Sequence, residues 1–346
     1  MRGVILTIIK KSLGTDAVLD ILPTEKKEFG HYSTNVALRL SRELKRPPME
    51  IAREFAEKIR VDAPAGFFEK VEAMAPGFIN FWLSPDVLAE EFKRIHANLK
   101  NFGKSEAGRS KTIIVEYSQP NIAKKMHVGH LRTTIIGDAL ANILELVGHK
   151  VIRWNYLGDW GTQFGKLIAA YKLWGDKKKV EDNPIEELQR LYVKFHDELK
   201  ISPELEKKGQ EEFKKLEEGD REDRKLWEWF KEESLKEFKK TYERLEVGFD
   251  IYIGESFYEK DIRPLIKRLT DAGVAEKSEG AIVVPVEKYG LPPALIQKSD
   301  GASLYLTRDI ANLEYRLKKY KPAKILYVVG NEQSLHIEQL FAVAKI

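Results

Sequence analysis

The sequence predicts an α/β protein whose larger part is a parallel nucleotide-binding sheet with a helical insertion, preceded by a small α+β module. Three observations carry that expectation. The β-branched run from Thr112 to Tyr117 leads through a loop to a helical stretch from Gly129 to Val147, and strand character returns from Lys150 to Trp154. That strand, helix, strand unit seeds parallel sheets. The stretch from Asp176 to Arg244 is rich in Glu and Lys and repeats Leu and aromatic residues at helical intervals, including Trp227, Phe230, Leu235 and Phe238, so it reads as an exposed helical insertion. Finally, Gly103 to Lys111 gathers Gly, Ser and charge between two regions of different pattern, which suggests domains over 1–108 and 109–346, with 176–280 inserted in the second.

Within the first region, Val36, Ala37, Leu40 and Leu44 recur at helical spacing, with Ser33 or Thr34 as the candidate N-cap. A second helix is expected from Pro47-Pro48, since Pro is tolerated in a first turn, with Ile51, Phe55 and Ile59 on one face. Alternation at Val71 and Ala73, then at Ile79, Phe81 and Leu83, predicts two strands joined through Pro76-Gly77, and a helix follows from Pro85 to Leu99. In the second region, Ala281 to Val286 and Lys324 to Val329 are expected to complete the parallel sheet.

Composition bounds the chemistry. At 346 residues the chain exceeds the usual single-domain size and has ample apolar residues for a core. Lys plus Arg total 58 against 54 Asp plus Glu, so any nucleic-acid surface must come from local clustering rather than from the net charge of +4. The absence of Cys excludes disulfides and Cys-ligated zinc and fits a cytoplasmic protein, and the 7 His are too scattered to suggest a metal site. The run Val4 to Ile9 is far shorter than a bilayer span of roughly 20 residues, and no small-residue cleavage site follows it, so no membrane association is expected.

Ligands of parallel sheets sit beyond the carboxyl ends of the strands, which directs attention to the loop from Ser118 to His130. His127-Val128-Gly129-His130 places two imidazoles three residues apart at the helix start. The plainer reading is a pair of caps or surface residues. The sharper one is a triphosphate site: a helix N-terminus presents free N–H groups, Gly129 admits a flat base, and the imidazoles donate to phosphate as charge builds.

The wider run Val115-Glu116-Tyr117-Ser118-Gln119-Pro120-Asn121-Ile122-Ala123-Lys124-Lys125-Met126-His127-Val128-Gly129-His130-Leu131-Arg132 closely resembles the signature loop of class I aminoacyl-tRNA synthetases in the arginine-specific form. Further segments are similar: Gly158-Asp159-Trp160-Gly161-Thr162-Gln163-Phe164-Gly165, Phe249-Asp250 with Gly254-Glu255-Ser256, Lys298-Ser299-Asp300-Gly301, Tyr305-Leu306-Thr307-Arg308-Asp309 and Val329-Gly330-Asn331-Glu332-Gln333. Phe29-Gly30-His31-Tyr32-Ser33-Thr34-Asn35 resembles part of the domain that this family sets against the tRNA elbow.

The resemblance implies a Rossmann-like catalytic domain that activates L-arginine with ATP, accompanied by Mg2+, and transfers it to tRNA-Arg. The charged helical insertion itself leaves tRNA contact as its alternative reading. The resemblance assigns the phosphates to His127 and His130, with Lys124 as a further contact, and the adenine side to Gly129, Gly330 and His336. It assigns arginine to Glu116, Ser118, Asn121, Tyr305, Asp309 and Gln333, with Glu116 and Asp309 together neutralising the guanidinium. Such a pocket suits a planar, permanently charged group with several fixed donors. Tyr305 and Asp309 lie four apart and share a helical face if a helix begins there.

Gln119 and Lys125 depart from common family choices. No Lys-Met-Ser-Lys-type loop and no anticodon-reading domain follow the segment bearing Gln333, so a fragment or one half of a split enzyme is expected, either a monomer or paired with a separate C-terminal half. Two other readings stay open: a module that binds arginine or tRNA without joining them, and a small-molecule nucleotidylyltransferase using the same His pair. Intact His127 and His130 favour the enzyme over the first; the appended N-terminal region and the paired carboxylates disfavour the second.

Overall fold

The computed structural model describes residues 1–14, 20–299 and 301–346, which divide into two units, Met1–Phe102 and Gly103–Ile346. Asp300, quoted in one of the segments above, lies outside the described residues.

The first unit runs α1 (Arg2–Leu13), β1 (Ile21–Pro23), β2 (Tyr32–Thr34), α2 (Val36–Leu44), α3 (Pro48–Asp62), β3 (Phe68–Met74), β4 (Phe78–Leu83) and α4 (Pro85–Ala97). Its strands form an antiparallel sheet in the order β1-β2-β4-β3. The apolar run near the amino terminus is α1, and its Ile5 and Ile9 are fully buried with Ile51, Ile59, Ile79 and Phe81. Ser33 and Thr34 are not helix caps: both are strand residues of β2, where Thr34 pairs with Ile79, and Asn35 flanks the helix instead. From its strand position the Thr34 Oγ1 still accepts the N–H of Val36, the first residue of α2, at 3.4 Å.

The second unit contains β5 (Thr112–Glu116), α5 (Val128–Leu146), β6 (Lys150–Leu157), α6 (Thr162–Trp174), α7 (Lys177–Asp182), α8 (Pro184–Glu198), α9 (Leu205–Glu218) and α10 (Arg221–Arg244). It continues with β7 (Ile251–Gly254), α11 (Glu259–Asp271), β8 (Glu276–Ser278), β9 (Ala281–Val284), β10 (Ala294–Gln297), α12 (Tyr305–Tyr320), β11 (Lys324–Tyr327) and α13 (Ser334–Ala344). The parallel sheet has the order β11-β5-β6-β7. Strand β5 therefore has its chain successor β6 on one side and the late strand β11 on the other, the arrangement that opens a crevice at the carboxyl ends. Helix α5 lies close over the sheet because Gly137 faces the Tyr117 ring, where any Cβ would overlap it.

Two expectations need correction. The strand at 281–284 does not extend the parallel sheet; it pairs antiparallel with β8 and β10 in a separate three-stranded sheet. An apolar β-branched run shows strand character without showing which edge it joins. The stretch 176–280 is also not all insertion, since β7 pairs in parallel with β6 inside it and the helical part closes with α10. That helical part packs on α6 around Trp160, Phe164, Trp227, Phe230 and Phe238. No helix among the described residues is long and apolar enough to cross a membrane.

Candidate active site

Beyond the carboxyl ends of β5, β6 and β11 lies a cleft of about 1030 Å3. Every site residue expected from the sequence lines it except Lys124.

At one wall, His127 is the N-cap of α5 and His130 its third residue. His127 Nδ1 accepts from the Gly129 N–H at 3.1 Å, and His130 Nδ1 accepts from the His127 N–H at 3.2 Å, a reciprocal box that satisfies two free donors of the helix start. The ring centroids are 4.0 Å apart. Both histidines are thus caps as well as candidate ligands. Gly129 has a reason beyond base access, since a Cβ there would crowd the folded-back His127 ring. Burial, with the neighbouring His127, pushes the His130 imidazole down to about 4, so it is neutral at ordinary pH.

The loop before α5 is held from outside itself. Ser118, Gln119 and Ala123 adopt positive φ of 74°, 51° and 61°, a region that side chains rarely occupy without support. Two residues of α10 supply that support: Tyr242 Oη meets Ser118 Oγ at 2.7 Å and accepts from Asn155 Nδ2 at 3.0 Å, while Ser234 Oγ accepts from the Ala123 N–H at 3.0 Å. Asn121 rests over Gly158, whose backbone is bonded to Pro120 and Ile122. The insertion is therefore the brace of the loop. Tyr242→Phe keeps the ring and strands two buried polar partners, so it is expected to cost about 1–3 kcal/mol of stability in denaturant unfolding; an unchanged midpoint would remove the hydroxyl from this role.

The Gly158 to Gly165 segment joins the same brace. Asp159 is fully buried and accepts from Ser256 N at 2.9 Å, Ser256 Oγ at 2.8 Å and Lys231 Nζ at 2.5 Å, and its carbonyl accepts from Trp227 Nε1 at 2.8 Å. Lys124, by contrast, is drawn away from the cleft: its ammonium stands 5.3 Å from the Tyr192 ring of α8, and neighbouring Lys125 pairs with Glu186 at 2.5 Å. A nearby aromatic face and carboxylate on the insertion capture both cations.

A second group of lining residues is acidic. Tyr305 and Asp309 occupy the first turns of α12, which does begin at Tyr305, so they share one face. Glu116, at the end of β5, is not free to neutralise a ligand cation as expected. Its two carboxylate oxygens accept from Arg316 Nη2 and Gln119 Nε2. Arg316 is fully buried, with its guanidinium 4.3 Å from the Trp154 ring. The chain's own guanidinium thus already balances Glu116. A carboxylate not singled out from the sequence, Glu255, also lines the cleft just after β7. Its signal was a Gly-Glu-Ser run at a strand end. Burial pushes this carboxyl up to about 8, with Arg308 opposing and Asp309 and Asp159 reinforcing. His336 lies across from Asp309 rather than apart from it, and Gln333 and Gly330 close the rim.

Residues 93–346 match the family described as tRNA synthetases class I (R), catalytic domain, and residues 4–83 match the arginyl tRNA synthetase N terminal domain. The chain is 46% identical over 332 residues to an arginine–tRNA ligase of Clostridioides difficile, covering 96% of this chain and 57% of that protein. It is 46% identical over 340 residues to arginine–tRNA ligase 2 of Bacillus anthracis, covering 98% and 59%. The chain thus spans less than two thirds of the length of these relatives. Among solved structures it is similar to the arginyl-tRNA synthetase of Plasmodium falciparum, with a TM-score of 0.77, 28% identity, and coverage of 99% of this chain and 61% of that one.

Proposed function

The chain belongs to the arginyl-tRNA synthetase family, and we propose that its cleft binds L-arginine beside ATP and forms arginyl-adenylate for transfer to tRNA-Arg. One observation carries this reading: a paired-imidazole helix cap and the two carboxylates of Asp309 and Glu255 line one and the same cleft. In the reaction, the arginine carboxylate oxygen attacks the α-phosphorus of ATP, the bond to the bridging oxygen breaks, and pyrophosphate leaves. The terminal ribose hydroxyl of the tRNA then attacks the arginyl carbonyl and releases AMP.

This chain's residues position and stabilise; no side-chain nucleophile is needed. Asp309 and Glu255 take the guanidinium, and the Tyr305 hydroxyl accepts a further N–H. Asn121, Ser118 and Gln333 offer polar groups to the α-amino and carboxyl end. His127 and His130 donate to phosphate oxygens. Mg2+ would come in with the ATP phosphates and would supply neutralisation of their charge.

The test is calorimetric titration of the chain with L-arginine, lysine and citrulline, each with and without a non-hydrolysable ATP analogue. Arginine is expected to saturate the site, and the other two to bind at least about a hundredfold more weakly, because they leave buried acceptors unpaired or lack the charge. Arginine binding is also expected to release close to one proton at pH 7. Glu255, protonated below about 8 in the free protein, ionises opposite the cation. The sign follows from linkage: affinity rises as pH rises from 6 toward 8 and levels above it. Equal binding of the three ligands, or no arginine binding by folded protein, would reject the assignment.

A further inference from the structure

We infer that His336 is a positioning residue for Asp309 and belongs to the guanidinium side of the cleft, an inference that rests on the arginine reading above. The turn Asn331–Gln333 leads into α13 and brings His336 back toward the first turns of α12. His336 Nε2 lies 2.5 Å from Asp309 Oδ2. A carboxylate only accepts, so Nε2 carries the hydrogen of this contact. Tyr305, one turn before Asp309, packs against the same imidazole with ring centroids 4.6 Å apart and planes at 64°. The His336 and Asp309 side chains are only 12% and 17% exposed.

Two separate contacts thus tie His336 to residues that recognise a guanidinium. The hydrogen bond has a consequence for that recognition. An aspartate carboxylate rotates about its last torsion with little preference, and a planar fork is selective only if its acceptor is held in one plane. With Oδ2 engaged by His336, the carboxylate is fixed and Oδ1 remains for an arginine N–H. The ring contact holds Tyr305 on the same side. His336 therefore sharpens arginine affinity and discrimination through Asp309, without itself contacting adenine.

Calorimetry on the wild-type chain, His336→Phe and His336→Gln tests this, with L-arginine and a non-hydrolysable ATP analogue titrated separately and thermal melting run in parallel. Phe keeps a ring against Tyr305 and removes the donor; Gln restores an N–H. The expected result is arginine binding about ten- to a hundredfold weaker in His336→Phe, analogue binding within about twofold, and most of the arginine loss recovered in His336→Gln. If His336→Phe weakens the analogue and spares arginine, His336 belongs to the adenine side and the inference fails. It fails equally if Phe leaves both affinities unchanged, or if Gln binds arginine no better than Phe. A wild-type chain that binds no arginine brings down the underlying reading before any variant is compared.

Discussion

Replacing His130 with alanine slows arginine-dependent ATP–pyrophosphate exchange by about a hundredfold to a thousandfold while leaving arginine affinity within about twofold. The cap geometry explains both halves of that result. His127 and His130 each accept a backbone N–H at Nδ1, so the hydrogen of each neutral ring sits on Nε2. The box that finishes the helix also selects the tautomer that leaves a donor for a phosphate oxygen. Burial keeps His130 neutral down to about pH 4, so its donor is present across the working range. The pH–rate profile should accordingly show no inflection from His130 above about pH 5. Alanine removes this donor, which matters most as negative charge grows on the phosphates, but touches nothing at Asp309 or Glu255. Exchange within threefold of wild type would end the phosphate role and leave His130 a cap.

Arg316→Met is expected to cost about 3–5 kcal/mol of stability in denaturant unfolding, the largest such effect predicted for this chain. Arg316 and Glu116 are both buried and paired through Nη2, Arg316 Nε and Nη1 have no hydrogen-bond partner among the described residues, and Trp154 lies against the guanidinium face. Removing the cation leaves a carboxylate in a site where desolvation already pushes its pKa upward. The double variant Glu116→Gln with Arg316→Met should recover much of the loss, because the uncompensated charge is gone. If the single variant unfolds at the wild-type midpoint, the pair is not holding β5 and α12 together.

Much of this was legible in the sequence because it is local. The strand, helix, strand unit at 112–157 follows from β-branched and helical periodicity, and the His pair follows from its place at a helix start. Asp309 and Tyr305 came from the family resemblance, and their four-residue spacing becomes a shared face because α12 begins at Tyr305. What the sequence hid depends on partners far away in the chain. Nothing near Glu116 tells that its charge is spent on Arg316, and nothing near Lys124 tells that Tyr192 will attract it. The strand at 281–284 failed for the same reason: local propensity makes a strand, but its neighbours decide the sheet. Glu255 is the instructive case, a residue inside a recognised segment whose burial and acidic company appear only when the segment is folded against α12.

The loop that carries the histidines is made early and finished late. Its braces, Ser234 and Tyr242, lie more than a hundred positions downstream, and the Arg316 partner of Glu116 lies 200 residues on. At about 5–20 residues per second on the ribosome, the segment waits roughly ten to forty seconds after its own synthesis before Arg316 exists. During that interval β5 and its loop have no means of reaching their final conformation, so the nascent chain exposes an apolar strand and an unpaired buried-type carboxylate. Folding of this unit is consequently expected to be completed only after Arg316 has been made, and to be the step most helped by chaperones.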